Sequence, residues 1–164
     1  MVGHGRGNLE RRPLPYAAMT LEQIAALPVH EITDRNARLF VWTTNRYLPA
    51  IFEIIEAWGF EYRQTLVWHK LDANMPGSVA PNSEFLLVGQ RGTPGRLATL
   101  KSSVIAAHTH CAWNSKGHSR KPECFLDYIE QVSPGPYVEL FARRARFGWD
   151  YWGDESLGTA EVAA

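Results

Sequence analysis

Cysteine is scarce: Cys111 and Cys124 are the two among 164 residues. Two thiols make no disulfide scaffold, so the core must hold the fold, and the expected setting is inside the cell with thiols reduced. Neither sign of charge is in excess. Seventeen Lys and Arg stand against seventeen Asp and Glu, a net charge of zero. That balance excludes nucleic-acid binding by bulk charge alone and argues against intrinsic disorder. No apolar run approaches the roughly eighteen residues that a spanning helix needs. Residues 1–12 lack the apolar segment of a secretory signal, which makes the cytoplasm the expected compartment. Gly-x-Ser-x-Gly is absent, so there is no nucleophile elbow for a hydrolase.

What is abundant is aromatic. Six Trp, six Tyr and seven Phe make up 12% of the chain, enough to build a core and also enough to stack on bases. Residues 1–15 carry Gly3, Gly5, Gly7, Pro13 and Pro15 and read as a flexible arm. They are not a phosphate loop, because no strand precedes them and no Gly-Lys-Ser/Thr follows. Thr20 and Gln23 have the spacing of a capping box, which predicts a short helix stopped by Pro28. The apolar run 37–44 reads as a buried strand. Ile51, Ile54, Ile55 and Trp58 recur at helical spacing, with Gly59 to close the helix. Further strands are expected at 65–68, 84–89, 103–106 and 137–141, with a helix after Pro122 and a final aromatic piece from Trp149 to Trp152. Strands alternate with helices, so the expected class is α/β with a mainly parallel sheet. Residues 16–155 form one domain, and 156–164 a frayed tail.

In such sheets ligands gather at the carboxyl ends of strands. The polar residues ending the apolar runs are Thr43, Thr44, His69, Lys70, Arg143 and Arg144. Arg143, Arg144 and Arg146 read either as a solvated face or as contacts to an anion or ribose. Lys121, before Pro122 at a helix start, suits a carboxylate or phosphate, or is a plain solvated lysine. Glu84 opens a strand that should be buried, so it needs a salt-bridge partner or a ligand donor. Tyr16 and Trp68 are core aromatics or base platforms. His108, His110, Cys111, His118 and Cys124 are the right types for zinc, but their spacing closes no four-ligand pattern, and ordinary loop histidines are the simpler reading. The residues by themselves point to an α/β domain that binds an anionic or nucleotide-like small molecule.

Several strings in order carry a resemblance: Leu14-Pro-Tyr16, Leu39-Phe-Val-Trp42-Thr-Thr-Asn45, Leu66-Val-Trp68-His-Lys70, Glu84-Phe-Leu-Leu-Val-Gly89, His118-Ser-Arg-Lys121-Pro122, Ser133-Pro-Gly135, Glu139-Leu-Phe-Ala-Arg143-Arg144 and Gly148-Trp-Asp-Tyr-Trp-Gly153. Together they resemble the MT-A70 family of adenine methyltransferases. The resemblance implies a Rossmann-like fold and transfer of a methyl group from S-adenosyl-L-methionine to the exocyclic amine of adenine in nucleic acid, DNA in preference to RNA. It implies cofactor contacts from Lys121, Arg143, Arg144 and Arg146, and from Asp154 and Glu155 after Gly153. It places Tyr16, Lys70 and Glu84 near the target adenine. It implies no metal, and leaves room for a homo- or heterodimer. The family's catalytic Asp-Pro-Pro-Trp, at the end of a first strand, is not in this sequence. Its expected place is upstream of Met1, so no catalytic residue is assigned here. Without that first strand, a parallel sheet is expected to expose an edge near its middle, with marginal stability or aggregation as the consequence. The alternative reading is a non-catalytic relative that binds nucleic acid or a partner subunit.

Overall fold

A computed structural model describes residues 18–72, 79, 81–109 and 121–153. The arm, Tyr16, residues 110–120, Asp154, Glu155 and the tail lie outside the described residues. The elements run α1 (Leu21–Ala25), β1 (Ala37–Thr43), α2 (Leu48–Ala57), β2 (Glu61–Lys70), β3 (Ser83–Arg91), β4 (Val104–Ala107), α3 (Cys124–Val132), β5 (Tyr137–Leu140) and β6 (Trp149–Trp152).

Local chemistry explains most of the boundaries. The Thr20 hydroxyl accepts from the Gln23 backbone, and the Gln23 side chain accepts in return, so the capping box forms. Gly59 ends α2 at φ +79°, a left-handed conformation that side chains resist. β2 begins four residues before the expected apolar run. Its exposed polar start, 61–64, is held by pairing with β3 and not by burial. α3 starts at Cys124 with Glu123 as its N-cap, so Pro122 stands just outside the helix and is fully buried.

The class is α/β, but the sheet is mixed and not mainly parallel. The four-stranded sheet runs β1-β3-β2-β4. β3 lies antiparallel to both β1 and β2, and β4 joins β2 in parallel. The cause is visible in the link from β2 to β3. Its sequence carries Pro76, Gly77 and Pro81, which oppose a crossover helix, and strands joined without a crossover pair antiparallel. β5 and β6 form a separate parallel pair.

Alternate side chains on the sheet feed two cores, as the pleat requires. Leu39, Val41, Phe85 and Leu87 face one side and pack with Ile51, Ile54 and Ile55 of α2. Phe40, Trp42, Leu66, Trp68 and Leu86 face the other and meet Phe125 of α3. Trp42, Trp68 and Phe125 meet edge to face, with ring centroids 4.8–6.1 Å apart. Trp68 is therefore core, its indole donating to the Ala107 carbonyl at 3.0 Å. No helix among the described residues is long and apolar enough to cross a membrane.

Among the described residues β1 is an edge strand, paired with β3 on one side, and β5 likewise pairs with β6 alone. Both strands line the same cleft along their whole lengths. Free strand edges carry unpaired donors and acceptors. In hydrogen exchange by NMR, alternate amides of 37–43 and 137–140 should therefore exchange fast while their neighbours are protected. Uniform protection along both strands would contradict these free edges.

Candidate functional site

The cleft between β1 and β5 has a volume of about 1170 Å³. Its walls include Phe40, Trp42 and Thr43 of β1, Thr44 just after it, Glu139 of β5 and Arg143 beyond it, with Glu84 and Lys121 also in the lining. Glu84 is the centre of the charge. It opposes Trp68 across the β2–β3 pair, so it shares a sheet face with Trp68 and Lys70. One carboxylate oxygen accepts from Lys70 Nζ at 2.6 Å. The other accepts from Lys121 Nζ. The three side chains are 13–28% exposed, so this is no surface ion pair. Each ammonium also lies over an indole: Lys70 at 5.0 Å from the Trp68 ring centre and Lys121 at 5.2 Å from that of Trp42. Burial pushes the Glu84 carboxyl up, but the charge and hydrogen bond of Lys121, with those of Lys70, more than reverse this and hold it below its ordinary value. Among the described residues, these two ammonium groups and one carboxylate give the cluster a net charge of one positive unit.

The arginines after β5 separate by role. Arg143 is half-buried and lines the cleft. Arg144 also lines it, with its guanidinium 3.0 Å from Glu123 before α3. Arg146 turns to α3: it forks onto both oxygens of Glu130, at 2.8 Å each, and reaches Asp127 at 2.7 Å. Trp149 donates to the same Glu130 at 2.7 Å. The hydrogen bonds from Glu130 and Asp127 hold the Arg146 guanidinium well above its ordinary value. This network braces β6 and the connection from β5 that leads into it against the helix.

The turn itself is tightly built. Phe141 takes φ +61°, uncommon for a bulky residue, directly after β5. Gly153 has no room for a side chain: a Cβ there would stand 2.4 Å from the Ala142 carbonyl oxygen. Glu139 is a cleft residue that sequence reasoning did not single out. Burial raises its carboxyl, and Arg144 and Arg146 offset this only in part. Its signal was an acidic residue inside an apolar strand, the same signal that drew attention to Glu84. Trp42 was also missed as a platform, because a buried-strand tryptophan reads as core. His69 is half-buried on β2 and Thr43 is buried. Among the described residues no group of three or more His, Cys, Asp or Glu could hold a metal ion.

A family model described as MT-A70 matches residues 6–155, almost the whole chain. The chain belongs to the MT-A70 family. Among its relatives, the Type II methyltransferase M.MunI of a Mycoplasma species is 34% identical over 146 residues, 85% of this chain and 59% of that protein. Human METTL4, an N(6)-adenine-specific methyltransferase, is 30% identical over 90% of this chain and 34% of its own length. Human METTL3, an N(6)-adenosine-methyltransferase catalytic subunit, is 29% identical over 79% of this chain and 23% of its own. The chain thus spans less than two thirds of each of these family members.

Glu84 makes the site and steadies the fold. Replacing it with Gln should cost about 2 kcal/mol at pH 7, because two sheltered ammonium groups lose their counter-charge. The Glu84 contribution is complete above the ordinary glutamate value of about 4.3 and is lost as pH falls through its lowered folded value. Urea unfolding of both proteins should converge in that acid window; a gap that persists below it would contradict the assignment. Arg146→Ala should cost about 1–2 kcal/mol, and Arg146→Lys should recover less than half of that, since an ammonium cannot fork onto a carboxylate. Equal stability of the Arg146→Lys variant and the wild-type protein in thermal melts would refute the bracing role.

Proposed function

We propose that this chain forms the cofactor side, and part of the substrate side, of a Rossmann-like, S-adenosyl-L-methionine-dependent methyltransferase that modifies the exocyclic amine of adenine in nucleic acid. The observation that carries the reading is the net positive charge of the Lys70–Glu84–Lys121 cluster, whose Lys121 lines a cleft together with Arg143 and Glu139. The residues present fit the cofactor by the chemistry of their donors. Lys121 suits its carboxylate, Arg143 its ribose, and the Glu139 carboxylate can accept from ribose hydroxyls. Asp154 and Glu155, beyond Gly153, complete the ribose side in this reading. Arg144 and Arg146 act there mainly by holding β5, β6 and α3 together.

Bound in this way, the cofactor supplies a methyl group on a sulfonium. The chain's own residues orient and shield. Lys121 fixes one end of the cofactor, the indole of Trp42 supports Lys121, and Glu84 lines the cleft on the side where the family resemblance implies the adenine. An exocyclic amine is a poor nucleophile, so in-line alignment matters more than acid–base chemistry. Hydrogen bonds that draw on the amine would come from the family's Asp-Pro-Pro-Trp. We place the strand bearing it between β1 and β5, where two free edges line one cleft and a strand could bond to both. DNA is favoured over RNA in this reading, because the Type II methyltransferase is 34% identical over 85% of this chain and the adenosine-methyltransferase subunit 29% identical over 79%.

Calorimetric titration with S-adenosyl-L-methionine tests this. The chain should bind it, and Lys121→Ala should weaken binding at least about tenfold, the value of one charge-assisted hydrogen bond. Equal affinity of the two proteins would refute the placement of the carboxylate. If the folded chain does not bind, the titration is repeated on a form carrying the Asp-Pro-Pro-Trp strand; failure there too would favour a binding subunit over an enzyme.

A further inference from the structure

Lys70 has no place in the lining of the cleft, although Glu84 and Lys121 do. It nonetheless takes one oxygen of Glu84 while Lys121 takes the other. We infer that Lys70 is a positioning residue that acts through Glu84: it neutralises this carboxylate from behind, so that the charge of Lys121 stays available to an anionic group in the cleft. The inference rests on the reading of Lys121 as the anchor of the cofactor carboxylate.

With Lys70 present, the cluster carries one net positive charge and welcomes one anion. Without it, Glu84 and Lys121 cancel, and an incoming carboxylate meets an unscreened carboxylate beside its anchor. At separations of several ångströms and an effective dielectric near that of a protein surface, one unit charge changes affinity by about tenfold or more. Screening by salt is weak here, because Lys70 and Glu84 are 18% and 13% exposed. Lys70 is also fixed in place. It ends β2, its backbone N–H donates to the Asn82 carbonyl at 2.8 Å, and its ammonium lies over Trp68. It is held where it can serve Glu84 and not where it could follow a ligand into the cleft.

The same geometry couples the two sides of the site. Any group that drew Lys70 away would return Glu84 wholly to Lys121 and loosen the ligand there. By linkage, a carboxylate captured at Lys121 opposes a second anion at Lys70 by the same factor. A phosphate of nucleic acid would therefore be excluded from Lys70 while the anchor is filled, although an uncharged base edge would not.

The test is a cycle of Lys70→Met and Glu84→Gln, read by calorimetry with two probes. S-adenosylhomocysteine carries the carboxylate; 5′-methylthioadenosine lacks it. Lys70→Met should weaken the first by about tenfold and leave the second unchanged within about twofold. In the Glu84→Gln background the part of the loss that passes through Glu84 disappears, so Lys70→Met should weaken the first probe clearly less than it does in the wild-type protein and leave the second unchanged within about twofold. Equal losses for both probes would mean a merely structural role and overturn the inference, as would an undiminished effect of Lys70→Met in the Glu84→Gln background. If the wild-type chain binds neither probe, the cofactor reading fails first, and the cluster is read by NMR. Lys70→Met should shift the indole N–H signal of Trp42, over which Lys121 lies, when Glu84 is intact but not in the Glu84→Gln protein. An unmoved Trp42 signal would overturn the coupling on its own.

Discussion

One carboxylate joins the parts on which this molecule depends. Glu84 sits on β3, the strand that pairs with both β1 and β2, and it binds Lys70 at the end of β2 and Lys121 before α3. The sheet and the start of α3 are thereby fastened at one point, above a layer of edge-to-face aromatic rings. Burying a charge is costly unless it is paired. Here it is paired twice, and the cluster of two ammonium groups and one carboxylate carries a net positive charge beside the cleft that Glu84 and Lys121 line. In the proposed reading, the interaction that steadies the fold also sets the sign of the ligand.

Among the described residues the strands that line the cleft are paired on one side: β1 and β5 are each bonded to one neighbour, and both face the same space. Each wall is fixed from behind. β1 is held by β3 and by α2 beneath it, while β5 is held by β6, and β6 by the fork of Arg146 onto Glu130 and the Trp149 bond to the same carboxylate. Phe141 in its left-handed turn and the bare Cα of Gly153 let the chain pass closely at the foot of the second wall. Rigid walls and open edges together suit a site whose chemistry is alignment of two ligands.

Much of this was legible in the residues. The capping box at Thr20, the isoleucines of α2, the glycine that closes it and the apolar strands all follow from local rules, and the elements stand within a few residues of expectation. The need of Glu84 for a partner was legible too, because a carboxylate in an apolar strand has few alternatives. The identity of its partners was not: Lys121 lies 37 residues away in the sequence, and only the fold brings it near. Sheet direction also escaped. Alternating elements suggested parallel strands, but a Pro- and Gly-rich link decided for an antiparallel return. Arg143, Arg144 and Arg146 looked alike as a run, yet tertiary contacts give them different work. Charge spacing shows that a residue is polar; it does not show which neighbour claims it.

In the proposed reading, Lys121 holds a ligand carboxylate in the cleft between β1 and β5. The most direct measurement is a crystal structure of the chain with S-adenosylhomocysteine. The carboxylate should lie on Lys121 Nζ and the ribose toward Arg143, with Glu84 still bound to Lys70. A ligand seated elsewhere, or with its carboxylate turned away from Lys121, would contradict it.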